Sequence, residues 1–492
     1  TNALLDAEQV HLAVTGEARV AVSWASGGGV VGTVEVEETE ADEARGAQRS
    51  SRRPARSLPG THRVISPAAV RYQMRHYDNL GLPFYTRENY TSPLLLHADI
   101  PVVPSASYRY RVSGSHGEAS EDAGWRHFRA PPAPGSCDRE MRLAIVADLG
   151  QTDFSAETCR SMAGAHAAQP FDLAVLVGDM AYADGNGSRW DSFFRMFEAE
   201  GCAGLPWLVL PGNHEIDLDA MSGFPFIPYR HRWRTPEAAS EQVRNDSSIR
   251  DWKLYAFDIN YDFGGSFYGL RLGCAHFVMI NPYTAGGEDS KQIAWLREEL
   301  ARVDRTLTPY LLVFTHANWH SSSHKHAPGE EVATSRLQVS AEPLVIQADA
   351  DLVIAGHLHA YERSHPIQGV RHIVVGNGGN YEELENHWFY SPHSAVRNGE
   401  HYGWAELRLR RESYEWIART SDSGAVLDTF KADAKAIHRQ RREEPRWIGV
   451  PGGEGTGIAA VLAWIFGVLL AVSGIAWCAA FRALARRRAG GE

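Results

Sequence analysis

Five short apolar runs in this chain each end in a small polar cluster, and no other feature restricts its fold so strongly. Leu143–Ala147 leads into Asp148-Leu149-Gly150, and Leu173–Val177 into Gly178-Asp179-Met180-Ala181-Tyr182. Trp207–Leu210 leads to Gly212-Asn213-His214-Glu215, Tyr310–Phe314 ends at His316, and Leu352–Ala355 opens onto Gly356-His357-Leu358-His359. Runs of this length read as strands. Helical segments lie among them, at Ala156–Ala168 and at Ser290–Val303, the second amphipathic through Ile293, Leu296, Leu300 and Val303. Strands alternating with helices predict an α/β domain. In open sheets of that kind ligands gather beyond the carboxyl ends of the strands, so the five clusters should face one pocket.

The residue types select a chemistry. An Asp after a strand is often only a helix cap, and a lone Gly-His-x-His can be two surface imidazoles. Five clusters, each at a strand end, are not all caps. Carboxylate, phenol, amide oxygen and imidazole suit Fe, Mn or Zn, and the absence of thiolates argues against a structural zinc site. So many donors exceed what one catalytic ion with an open position uses. Two ions ~3.5–4 Å apart, sharing a carboxylate, can clamp the attacking and leaving oxygens of a phosphoryl displacement.

Charge supports that reading. The 492 residues carry a formal net charge of −11, with no dense basic face outside the extreme C-terminus. Such a chain gains nothing from a phosphate backbone, so nucleic acid is not an expected partner. An anionic substrate then needs a local cation, which bound metal would supply. The chain is 44% hydrophobic and long enough for two or three domains. Of its cysteines, Cys137, Cys159, Cys202 and Cys274 form up to two disulfides, in three connectivities, or stay as buried thiols; Cys478 lies apart.

Residues 1–135 read as all-β, with strands at Val10–Val14, Ala18–Trp24, Leu94–Ile100 and Tyr108–Ser113. The stretch Glu35–Leu58, first acidic and then basic, reads as a disordered insertion. Ala130-Pro131-Pro132-Ala133-Pro134-Gly135 marks a boundary before a catalytic domain at 140–430. A juxtamembrane linker is expected at 431–456 and a transmembrane helix at 457–481, where no residue is charged. Arg482, Arg486, Arg487 and Arg488 follow, so the tail 482–492 should be cytoplasmic. This topology makes a single-pass type I membrane protein with its catalytic domain extracellular or luminal, at the cell surface or in a vacuolar or endosomal membrane. Sequons at Asn89, Asn186 and Asn245 agree with glycosylation there.

The ordered clusters, with Val313-Phe314-Thr315-His316, Phe226-Ile227-Pro228-Tyr229-Arg230-His231-Arg232-Trp233 and Gly376-Asn377-Gly378-Gly379-Asn380, resemble the motifs of purple acid phosphatases in the metallophosphoesterase superfamily. The resemblance spans about residues 5–430. It implies an N-terminal fibronectin type III-like β-sandwich and a metallophosphoesterase α/β/β/α sandwich. It also implies Fe(III) on Asp148, Tyr182 and His359, and a divalent Zn, Mn or Fe on Asn213, His316 and His357, with Asp179 bridging. His214 and His326 match positions that contact the phosphate or protonate the leaving group, with Asn213, His324 and Lys325 also at the substrate. Lys325-His326 stands where plant-type members often carry adjacent His, and Ala147 where the family has Gly. The implied reaction is hydrolysis of small phosphate monoesters by a metal-held hydroxide, with an acidic optimum. A homodimer is one option for assembly. Two rival readings stay open: a phosphodiesterase or nucleotide pyrophosphatase on the same scaffold, and a surface binding protein with a decayed site.

Overall fold

The computed structural model describes residues 7–40, 58–76, 88–113, 124–217, 219, 224–236, 265–326 and 332–434. The expected membrane span 457–481, residues 435–456 of the linker before it, the tail 482–492 and Asn245 lie outside them. Among the described residues no helix is long and apolar enough to cross a membrane.

Two sheets packed face to face form the centre of the molecule. The first contains Gly403–Leu409, Met141–Val146, Leu173–Val177 and Pro206–Leu210 side by side. The last three run parallel, in register from Leu143↔Leu173 and Ala174↔Trp207. The second contains Tyr268–Leu272, Ala275–Ile280, Tyr310–Thr315, Leu352–Ala355 and Arg371–Val375 in that order. Strand alternation explains how they meet. Leu143, Ile145, Val175 and Val177 from one sheet interdigitate with Phe277, Met279, Leu312 and Phe314 from the other in one buried core. Their intervening neighbours face outward onto helices. Ala144, Leu176 and Val209 pack against Cys159, Met162, Trp190 and Phe194. Val278, Val313 and Val353 pack against Ile293, Leu296, Leu337 and Val345. Each such fully buried aliphatic side chain contributes ~1.5–3 kcal/mol. The layers are therefore helix, sheet, sheet, helix, and the expected Ala156–Ala168 helix is seen as Asp153–Ala168, capped by Thr152.

The N-terminal region continues the first sheet. Strand Ala7–Gly16 pairs in parallel with Pro206–Leu210 through Leu12↔Pro206 and Ala13↔Trp207. Arg19–Ser26 and Leu94–Pro101 extend it further. A second small sheet of Arg126–Arg129, Ser107–Val112, Val34–Thr39 and Arg63–Ile65 covers these strands across a core of Val10, Val22, Trp24, Val36, Tyr110 and Phe128.

The insertion expected from Glu35 needs correction at its start, because Val34–Thr39 is a strand. Val34 and Val36 point into the core, while Glu35 and Glu37 face Arg111 and Arg109 on the neighbouring strand at 2.8 and 2.7 Å. Its acidity is one face of a period-2 pattern rather than a sign of disorder. Residues 41–57 lie outside the described set. At the other end, residues 431–433 of the expected linker complete the strand Val426–Asp433. The cysteines resolve as two disulfides, Cys137–Cys274 and Cys159–Cys202.

Candidate metal centre

All five clusters converge, although their strands belong to two sheets. Asp148 and Asp179 follow strands of the first sheet, and His316, His357 and His359 follow strands of the second. Asp179 Oδ2 lies 3.0 Å from His316 Nε2, and His359 Nε2 lies 3.5 Å from Asp148 Oδ1. The Tyr182 hydroxyl donates to Asp148 Oδ1 at 3.2 Å and sits 3.0 Å from His359 Nε2. Donor atoms of Asp179, His316 and His357 all lie within 4.8 Å of one another. Asn213 joins through the Tyr283 hydroxyl, which donates to its Oδ1 at 3.2 Å, while the Tyr283 ring lies 6.0 Å from that of His316.

The backbone accepts strain to aim these groups. Asp148, Asp179, Tyr182, Asp184 and His357 all have φ between 49° and 69°. For residues with a Cβ this costs ~1–2 kcal/mol each, and such outliers cluster where surrounding structure over-determines them. Gly356 makes room: a Cβ there would stand 2.5 Å from Asp148 Oδ2. Outer partners fix the ring orientations. His316 Nδ1 bonds to Val177 O at 2.7 Å and His359 Nδ1 to Glu383 O at 3.2 Å, leaving each Nε2 turned inward.

Asp179 Oδ2 and His316 Nε2 are buried, face each other at 3.0 Å and yet make no aligned hydrogen bond. A buried carboxylate oxygen and imidazole nitrogen at that spacing, with no aligned hydrogen bond, are placed as two ligands of one cation would be. Burial raises the carboxyl pKa of Asp179, but His316 and His214 outweigh it and hold the group well below its ordinary range. Tyr182 is pushed well above the ordinary phenol value by burial and by Asp148 and Asp179. A phenol so placed ionises only against a strong local positive charge. The donor set and the orphaned pair fit a metal site held by the seven residues.

The structure also brings His326 to the cluster, its ring 3.9 Å from that of His357. His214 lies against Tyr182 at 4.0 Å between ring centres, with Nδ1 2.5 Å from Asp184 Oδ1. Burial lowers the pKa of His214, but Asp179 and Asp184 reverse this and raise it to about 10. His324 is exposed, with its ring 5.6 Å from Phe389, and the backbone N–H of Lys325 donates to Ser323 Oγ. Among the described residues no hydrogen bond, ion pair or ring contact links either to the seven. Asn89 is exposed; Asn186 accepts from Ser188 at a helix start.

Asp184, Glu382 and Tyr283 escaped the sequence reading, and Glu215, quoted in its cluster, was given no role there. Asp184 orients His214; Glu382 stands 3.7 Å from His214 Nε2. Glu215 accepts from the backbone N–H groups of Asp179, Met180 and Gly212. Tyr283 was findable, because Ala275–Ile280 is a sixth apolar strand ending in a polar cluster, Asn281-Pro282-Tyr283. Glu382 carried no such signal.

Facing sheets flanked by helices, with carboxylates and imidazoles meeting beyond their strand ends, define a metallophosphoesterase. The chain matches the family model for calcineurin-like phosphoesterases over residues 141–361, and that for "iron/zinc purple acid phosphatase-like protein C" over 369–429. It is 32% identical to purple acid phosphatase 21 of Arabidopsis thaliana over 72% of this chain and 75% of that one. It is likewise 32% identical to the phosphoenolpyruvate phosphatase of Allium cepa, over 73% and 74%. A purple acid phosphatase from yellow lupin (Lupinus luteus) seeds shares the fold with TM-score 0.68 at 19% identity, covering 88% of this chain and 76% of that one. The chain belongs to the purple acid phosphatase family and is a phosphatase.

Proposed function

We propose that the protein hydrolyses phosphate monoesters under acidic conditions at a dinuclear centre. Asp148, Tyr182 and His359 would hold Fe(III), Asn213, His316 and His357 a divalent Zn, Mn or Fe, and Asp179 both. The observation that carries this is the orphaned pair of Asp179 Oδ2 and His316 Nε2, buried and 3.0 Å apart. When bound, such a pair stabilises phosphoryl charge and makes water acidic enough to serve as nucleophile.

The chain's own residues do the rest. Asn213, His214 and His326 would orient the phosphate, with His324 and Lys325 at the outer side. His214, whose Nδ1 is held by Asp184, turns its other ring nitrogen toward the centre and would donate a proton to substrate oxygen. His326 beside His357 is the other candidate donor to the leaving alkoxide. The Allium relative's name, phosphoenolpyruvate phosphatase, supports a small monoester as substrate.

The N-terminal two-sheet region supports assignment as a fibronectin type III-like module. Two disulfides support folding in an oxidising compartment, as a type I topology with a span at 457–481 requires. Asn89, exposed in the described structure, is the foremost glycosylation site.

Metal content and hydrolysis of p-nitrophenyl phosphate against its bis-ester, in wild type and Asp179→Ala, test the reading. Wild type should hold two ions and prefer the monoester, and the variant should lose both ions and nearly all turnover. Substantial activity with metal retained in Asp179→Ala removes the bridging role. Preference for the bis-ester makes the protein a phosphodiesterase.

A further inference from the structure

On the outer, helix-covered face of the second sheet, three donors from three elements meet. His320 lies in the loop after strand Tyr310–Thr315, Glu342 on the helix Val332–Gln347 and His372 on strand Arg371–Val375. Ile373 points into the core between the sheets, so His372 beside it points to the helix layer. Its ring lies 4.5 Å from that of His320.

His372 is only 4% exposed, and neither ring nitrogen has a hydrogen-bond partner. A neutral imidazole always presents one donor and one acceptor. Leaving them buried and unpaired costs ~1–3 kcal/mol each. Glu342 Oε1 stands 3.8 Å from His372 Nε2 and 2.5 Å from His320 Nε2. Gln338 holds the other carboxylate oxygen at 2.9 Å and also bonds Trp319 O at 3.1 Å, tying the loop that bears His320 to the helix. One carboxylate oxygen is thereby turned toward two imidazoles, with an outer partner fixing it.

We propose that His320, Glu342 and His372 form a separate mononuclear site for a zinc-type divalent ion. Two imidazoles and one carboxylate make a three-donor set that leaves one position to water. Tetrahedral bonds of ~2.1 Å put donors ~3.4 Å apart; Glu342 Oε1 stands 2.5 and 3.8 Å from the two imidazole nitrogens, on either side of that spacing, so the ion enters by parting the His320–Glu342 hydrogen bond. The ion gives His372 the partner it lacks. It also clips the loop carrying His316 and His326 to the sheet and helix behind it, so its role is to brace that loop.

The test uses the whole chain with its dinuclear centre already loaded. Zinc is added, excess is removed, and bound zinc and Tm are measured for wild type, His320→Ala and Glu342→Gln. Wild type should take up one zinc per chain more than either variant, and only its Tm should rise with zinc. Both variants should keep phosphatase turnover, since neither residue belongs to the catalytic cluster. Equal zinc in all three proteins overturns the proposal, as does a zinc-dependent rise in Tm that survives both substitutions. If neither variant folds, the wild type decides alone: no zinc beyond the dinuclear pair means that water, not metal, partners His372.

Discussion

Tyr182 is fully buried, and its hydroxyl meets Asp148 and His359. Removing that oxygen leaves the ring's packing against His214 and Tyr381 in place. Tyr182→Phe should therefore abolish any visible charge-transfer absorption of the iron-loaded protein while Tm changes little; an unchanged spectrum denies the tyrosine its ligand role. Glu215 makes a different prediction. Its carboxylate receives three backbone N–H groups from two strand-end loops, and burial and Asp179 raise its pKa to about 8. Glu215→Ala leaves those N–H groups buried without an acceptor. It should cost ~2–4 kcal/mol of stability and lower metal affinity ~10–100-fold, read by denaturant unfolding and metal titration.

Among the elements, the helix Asp153–Ala168 depends on more than its capping. Cys159 ties it to Cys202, in the turn just before strand Pro206–Leu210. Both residues lie in the apolar layer under that helix, with Met162, Trp190 and Phe197. Closing a loop with a sequence separation of 43 removes entropy from the unfolded chain, so Cys159→Ser with Cys202→Ser should cost ~2–4 kcal/mol. Thermal unfolding of the double variant checks this; unchanged Tm would show that packing alone holds the helix. The strand Val34–Thr39 teaches a related lesson. Its charge looks like disorder until a neighbouring strand supplies Arg109 and Arg111.

For the molecule as a whole, the seam between the N-terminal strands and the helix Ile227–Arg232 is the sensitive region. Arg232, 1% exposed, donates to Gln9, Tyr72, Tyr90 and Asp191 at 2.6–2.9 Å. Arg232→Ala leaves Asp191 and two phenols without their cation and should cost ~3–5 kcal/mol, measured by urea unfolding. His11 and His97 bond to the carbonyls of Arg232 and His231 across the same seam. Burial lowers their pKa values to about 4 and about 3. Both lie below the ordinary ~6.5, so as pH falls the unfolded chain gains protons first. Stability from these groups is full above ~6.5 and is lost toward the folded values, at ~1.4 kcal/mol per pH unit for each. The urea midpoint should fall between pH ~7 and ~5, less steeply in His97→Gln; equal slopes would exonerate the seam.

The convergence of Asp148, Asp179, His316, His357 and His359 was legible in the sequence because their clusters end apolar strands, and strand ends are where this architecture collects polar groups. The two-sheet arrangement came from family resemblance, since periodicity alone cannot say which strands share a sheet. Pairing of the cysteines, the roles of Asp184, Glu215 and Glu382, and the junction of strand Ala7–Gly16 with Pro206–Leu210 depend on contacts between distant segments. Local pattern determines which residues face inward, because side-chain direction follows from backbone period. Which inward-facing groups then meet is set by how whole layers pack, and only the tertiary structure decides that.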